Sequence, residues 1–143
     1  SQLKPRNYHV AVGMAYRSQN TNTEEIVKEA EIKMYEVKAE YCGRRDVVYE
    51  ELMKIPGVVC QKPGGSFYIT AKLPVEDVED FLMFLLEEFE DNGETVMFAP
   101  AAGFYATPGL GKDELRIAYV LKQEDMKRAV ELIRLGLEAY NAR

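Results

Sequence analysis

The sequence is poor in the residues that metal centres, disulfide scaffolds and histidine-based catalysis require. Its 143 residues include two cysteines, Cys42 and Cys60, and one histidine, His9. The cysteines form no CxxC motif and have no histidine cluster around them, so neither a zinc site nor a disulfide framework is indicated. No nucleophile motif stands beside His9, and we expect a hydrogen-bonding role for it rather than catalysis.

Positive charge is also scarce. The chain has 18 Lys and Arg against 24 Asp and Glu, a net charge of -6, which removes the general electrostatic support for binding nucleic acid. Between Leu73 and Gly111 there are nine carboxylates and neither Lys nor Arg. Helical spacing would scatter these acids over an exposed surface, so we expect them to serve solvation rather than catalysis.

Long apolar runs are missing as well. No run reaches the ~20 residues that a membrane-spanning helix requires, and the first six residues are not followed by a signal-peptide core. We therefore expect a soluble, cytoplasmic protein without a membrane partner. Hydrophobic residues make up 47% and charged residues 29% of the chain, a balance that is typical of a folded domain.

Periodicity predicts alternating helices and strand pairs. Residues Tyr8–Tyr16 alternate as in a strand or extended arm, and the capping-box spacing at Thr21–Glu24 begins a long helix that Pro56-Gly57 ends, with a bend at Cys42-Gly43. Further strands are predicted over 58–61, 66–73, 95–99 and 115–121, and further helices over 74–91 and 123–140. This order favours an α+β fold, a two-layer α/β sandwich in which one mixed or antiparallel sheet carries helices on one face.

Two stretches could carry chemistry. Residues 99–111 are uncharged and aperiodic, and such a loop is either a packed connection or a ligand-facing segment. Arg116 lies in the otherwise apolar segment Leu115–Leu121, where a guanidinium must find an anion or reach water. Its planar donors suit a carboxylate, but spacing alone favours an internal partner such as Glu114 or an acid of the 74–91 helix.

Five motifs follow one another in the order in which a known family carries them. They are Tyr41–Val48 (YCGRRDVV), Ile55–Val58 (IPGV), Lys62–Tyr68 (KPGGSFY), Phe98–Phe104 (FAPAAGF) and Leu115–Tyr119 (LRIAY). Together they resemble the C-terminal small domain of fold-type I, pyridoxal-phosphate-dependent aminotransferases of the aspartate aminotransferase-like branch. The resemblance implies an N-terminal arm over 1–22 and an aminotransferase-like small domain over 23–143.

The resemblance also implies roles for individual residues. Arg116 matches the arginine that binds the substrate α-carboxylate in this family, which replaces the internal-acid interpretation, and Gly13 matches a glycine near that carboxylate. The family's pyridoxal phosphate is bound by a large domain through a lysine, and no stretch of this sequence resembles the lysine motif. We therefore expect this chain alone to hold no cofactor and to be inactive, although the parent family are aminotransferases.

The implied parent reaction transfers an amino group between an aspartate-like amino acid and a 2-oxo acid. This chain would supply the carboxylate-binding arginine and a lid. Its implied partners are the substrate, the large domain and a second subunit of a homodimer. The alternative is a non-catalytic binding or interaction domain that retains the small-domain fold and uses the 99–111 loop as its contact surface.

Overall fold

The computed structural model describes residues 22–143, and the chain divides into two compact units, Ser1–Cys42 and Gly43–Arg143. The predicted strand over Tyr8–Tyr16, together with His9 and Gly13, lies outside the described residues. The proposed division into an arm and a small domain at residue 22 therefore stays a prediction.

The first helix, α1, spans Thr23–Leu52. Its start is stabilised by Asn22, whose side-chain oxygen accepts a hydrogen bond from the backbone N–H of Glu24 at 3.3 Å. The predicted bend at Cys42-Gly43 does not interrupt the helix. Within the second unit, α1 contributes Val48 and Leu52, neither of which has any exposed surface.

Four strands form one antiparallel sheet in the order β1-β2-β4-β3. The strands are β1 Val59–Cys60, β2 Tyr68–Lys72, β3 Ala99–Pro100 and β4 Glu114–Ala118. The pairing of β1 with β2 confirms the predicted hairpin. The strand predicted over 95–99 is wrong for most of its length, because the Thr95 hydroxyl donates to the Leu85 carbonyl at 2.6 Å and ties this segment to the helix before it.

Two further helices complete the layer that covers the sheet, α2 Val78–Glu87 and α3 Gln123–Asn141. The prediction for α3 is confirmed to within one residue, whereas the helix predicted over 74–91 is too long at both ends. Its start is fixed by Asp77, which caps the helix by accepting a hydrogen bond from the Glu79 N–H at 2.9 Å.

The two faces of the sheet differ in burial. On one face Ile69, Ala71, Leu115 and Ile117 are buried with the apolar residues of the helices. The other face carries the side chains that alternate with them. They are Tyr68, Thr70, Lys72, Glu114 and Arg116, all half-buried or exposed. This arrangement confirms the predicted α+β fold with helices on one face of an antiparallel sheet, and we call the second face the open face.

Some of the carboxylates between Leu73 and Gly111 form ion pairs within the fold, beyond the solvation role that the sequence predicts. Arg128 of α3 donates to Asp91 at 2.6 Å and to Glu94 at 2.8 Å, and these hydrogen bonds raise the pKa of the guanidinium above its ordinary value. Arg143 pairs with Glu88 at 3.2 Å. Three of the nine carboxylates thus pair with arginines of α3 or of the residues that follow it. No described helix is both long and apolar enough to cross a membrane.

Candidate functional site

Arg116 lies at the middle of β4 on the open face of the sheet. Its register partners are Thr70 on β2 and Ala99 on β3, so the cation is flanked by a hydroxyl residue on one side and a methyl group on the other. Because side chains alternate along a strand, Leu115 and Ile117 point into the core while Arg116 points away from it. The guanidinium, the one charge of the segment Leu115–Leu121, is therefore placed on the face that the described helices α2 and α3 leave uncovered.

Arg116 forms no ion pair with any acid of residues 22–143. Glu114, the internal partner that spacing favours, accepts a hydrogen bond from the Tyr105 hydroxyl instead, and this interaction raises the pKa of Tyr105. The Nε atom of Arg116 is buried and has no hydrogen-bond acceptor within the described part of the chain. A buried donor without an acceptor costs about 1–3 kcal/mol, so the position of Nε is itself unfavourable, and the N–H groups on Nη1 and Nη2 are the donors left for a ligand.

Two aromatic rings contact the guanidinium. The ring centroids of Tyr68 and Phe104 each lie 3.9 Å from the Arg116 Cζ atom, well within the range of cation–π contact. Tyr68 belongs to β2, on one side of β4, and Phe104 follows β3, on the other side. Sequence reasoning missed both contacts, although each residue lies in a segment that it singled out.

The loop after β3 is shaped by a short 3-10 turn, Ala102–Phe104. Phe104 donates its backbone N–H to the Ala101 carbonyl at 2.9 Å, and Ala101 is itself buried and donates to the Glu114 carbonyl at 2.8 Å. The turn is therefore fastened to β4, yet the Phe104 side chain stays 66% exposed. This loop faces the guanidinium, so it does more than connect two strands.

The open face borders two concave regions. Arg116 is one of the residues that line a groove of about 890 Å³, whose walls are otherwise formed by residues 93–99, residues 117–118 and 120–121, and α3 residues such as Met126 and Leu132. A second groove, of about 620 Å³, is lined by Tyr68 and Lys72 among other residues. Arg116 therefore opens onto a cavity in which a small carboxylate has room.

The titratable groups of the described residues offer little acid–base chemistry. Lys72 pairs with Asp113 at 2.5 Å, which raises the pKa of the ammonium, and every lysine of residues 22–143 is exposed. Burial raises the pKa of Cys60. No cluster of His, Cys, Asp and Glu suited to a metal ion occurs among these residues.

Comparison with known proteins gives a consistent set of relatives. The chain is 32% identical to an aspartate aminotransferase of Geobacillus stearothermophilus over 67% of this chain and 24% of that protein. It is 30% identical to an aspartate aminotransferase of Bacillus subtilis over 74% of this chain and 26% of the relative. The chain thus spans about a quarter of the length of these curated relatives. No protein-family model matches it.

Solved structures share the fold. The kynurenine aminotransferase of Pyrococcus horikoshii superposes with a TM-score of 0.66 at 21% identity, over 82% of this chain and 28% of that one. At this level of identity the likeness shows the fold alone, and it agrees with the α+β architecture described above.

Proposed function

Because the chain belongs to the aspartate aminotransferase-like branch of the fold-type I aminotransferases, we propose that it is the C-terminal small domain of such an enzyme. The proposal is supported by the extent of the match, which covers about a quarter of each relative, and by the order of the five motifs. The parent reaction would transfer an amino group between an aspartate-like amino acid and a 2-oxo acid.

In this proposal Arg116 binds the α-carboxylate of the substrate. The observation that carries it is the guanidinium on the open face, which borders a groove and has no acid partner within residues 22–143. A carboxylate can accept two parallel N–H bonds from a guanidinium, each charge-assisted bond contributing about 1.5–3 kcal/mol. Gly13, which lies outside the described residues, is proposed as a second residue near that carboxylate.

Pyridoxal phosphate is the cofactor of the parent family, where it stabilises negative charge at the substrate α-carbon. The described residues do not fit a site for it. A lysine that bonds covalently to this cofactor needs a lowered pKa and a desolvated setting, whereas all described lysines are exposed and the pKa of Lys72 is raised. We propose that the cofactor is held by a large domain or a second subunit, and that this chain acts as carboxylate clamp and lid.

The clamp is tested by titrating the 143-residue chain with L-alanine while the ¹⁵N–¹H signals of its arginine side chains are recorded. We expect the Arg116 signal to shift with a dissociation constant of roughly 1–50 mM, because two hydrogen bonds alone must offset the cost of association. L-alaninamide keeps the ammonium but lacks the carboxylate, and it should leave this signal in place.

The matched protein controls are Arg116→Lys, which should abolish the saturable shift, and Arg134→Lys, which should not. Arg134 pairs with Glu138 on α3 at 2.7 Å and has no part in the open face. Equal responses to alanine and alaninamide, or a response that survives Arg116→Lys, would count against the clamp. They would favour the alternative, an interaction domain that has kept the small-domain fold. Addition of pyridoxal phosphate should give no absorption band that a single lysine substitution abolishes.

A further inference from the structure

The two rings that contact Arg116 cover opposite faces of its guanidinium. Tyr68 forms an edge-on ring pair with Phe67 at 5.6 Å, and no ring pair joins Tyr68 to Phe104. Two rings that each lie 3.9 Å from one Cζ atom and do not stack on each other cannot share one side of the guanidinium. Their origins on either side of β4 agree with this geometry.

A guanidinium covered on both faces can meet a ligand only in its own plane. All five N–H donors of arginine lie in that plane. Ring stacking on the faces therefore occupies none of them, and they remain able to donate to a ligand. Nε is buried, and the in-plane edge that can face the groove is therefore the one that carries Nη1 and Nη2. A planar carboxylate that approaches along this edge forms two parallel hydrogen bonds.

We propose that Phe104 and Tyr68 are positioning residues, which fix the plane of the Arg116 guanidinium so that it receives a substrate carboxylate edge-on; this rests on the proposed function. Neither ring needs to touch the substrate. Their contribution is to order the arginine before the ligand arrives, because an arginine that is free to rotate loses conformational entropy on binding.

Phe104 contacts Arg116 although most of its surface is exposed to solvent. A phenylalanine that is 66% exposed has no reason from burial to hold its position, and the 3-10 turn of the uncharged loop carries it to the cation. The loop would thus belong to the carboxylate site through the Phe104 side chain, whereas Leu110, another exposed apolar residue of the loop, is not among the aromatic residues that contact Arg116.

The test compares ring-removing with ring-keeping substitutions in the 143-residue chain. Phe104→Leu and Tyr68→Leu remove a ring, Phe104→Tyr and Tyr68→Phe keep it, and Leu110→Ala is the control in the same loop. For each variant the rate of rotation about the Arg116 Nε–Cζ bond is measured by ¹⁵N NMR without ligand. The affinity for L-alanine is then measured by the titration described above.

We expect each leucine variant to speed the rotation and to weaken alanine binding roughly two- to tenfold, as the loss of one pre-ordered side chain implies. Both ring-keeping variants and Leu110→Ala should stay within about twofold of the unmodified chain on the same basis. A purely structural role for the rings would leave the rotation rate unaffected by the choice between leucine and an aromatic residue.

Two negative results are distinguishable. If alanine binds through Arg116 but the leucine variants rotate and bind as the unmodified chain does, the positioning role is overturned while the carboxylate clamp stands. If the unmodified chain shows no binding that depends on Arg116, the clamp itself fails, and the positioning role falls with it.

Discussion

Gly111 is the residue on which the loop beside Arg116 depends, and its substitution makes the sharpest prediction about this fold. It is buried and has a φ of 72°, in the left-handed region that favours glycine. A Cβ atom built on it would lie 2.5 Å from Cδ2 of the Tyr105 ring and 3.4 Å from the carbonyl carbon of Ala101. Gly111→Ala therefore meets a conformational cost and a steric cost together.

The two costs can be separated with a second glycine of the same loop. Gly109 has a φ of 89°, yet a Cβ atom there would meet nothing within 4 Å. We expect Gly109→Ala to cost about 1–2 kcal/mol, the penalty for a side chain in the left-handed region. Gly111→Ala should cost about 2–4 kcal/mol, because overpacking adds about 1–3 kcal/mol and the ring can relieve part of it by moving outward. Tyr105 is 41% exposed and so has room to move.

Urea unfolding at neutral pH measures these differences. The double variant Gly111→Ala, Tyr105→Ala should be more stable than the sum of its single variants predicts, by about 1–3 kcal/mol, since removal of the ring removes the overlap. Equal destabilisation by the two glycine substitutions, or simple additivity in the double variant, would refute the claim that the Tyr105 ring occupies the position of the missing side chain.

Two further predictions concern the core and the pH dependence of stability. Phe81 has no exposed surface, so Phe81→Ala should lower the free energy of unfolding by about 3–5 kcal/mol, whereas the 61% exposed Phe67 should tolerate alanine within about 0.5 kcal/mol; urea unfolding measures both. Hydrogen bonds from Arg45 and Lys62 lower the pKa of Asp46 below its ordinary value, so its carboxylate stabilises the fold at pH values above that ordinary pKa and loses this effect as the pH falls through its folded pKa. Asp46→Asn should therefore be less stable than the unmodified chain at neutral pH, with a difference that vanishes in acid, and a constant difference across this range would contradict the assignment.

The sequence predicts most of the elements because their signals are local. The helix α3 was predicted to within one residue, since its apolar period and polar flanks lie within the segment itself. The placement of helices on one face of the sheet was predicted from the alternation of helices with strand pairs along the chain. Arg116 stood out because one permanent charge interrupts an apolar strand, and such a charge needs an explanation wherever the strand lies.

What the sequence missed depends on contacts between distant residues. The strand predicted to start at Thr95 fails because its hydroxyl bonds to a carbonyl of α2, a contact that no periodicity encodes. Phe104 was not predicted as part of the site because its loop has no period, and only the pairing of β3 with β4 brings it to Arg116. Glu114 was a reasonable partner for the arginine by spacing, but Tyr105 already donates to it.

The choice of aromatic rings over an acid has a physical consequence for a site that must bind carboxylates. An internal acid would hold the guanidinium through the same N–H donors that the ligand needs, so that ion pair would have to break before a carboxylate could bind. Stacked rings stabilise an exposed cation by about 0.5–1 kcal/mol each and use none of its donors. Tyr68 and Phe104 can therefore stay in contact with Arg116 whether or not a carboxylate is bound, so that binding requires no internal bond to break.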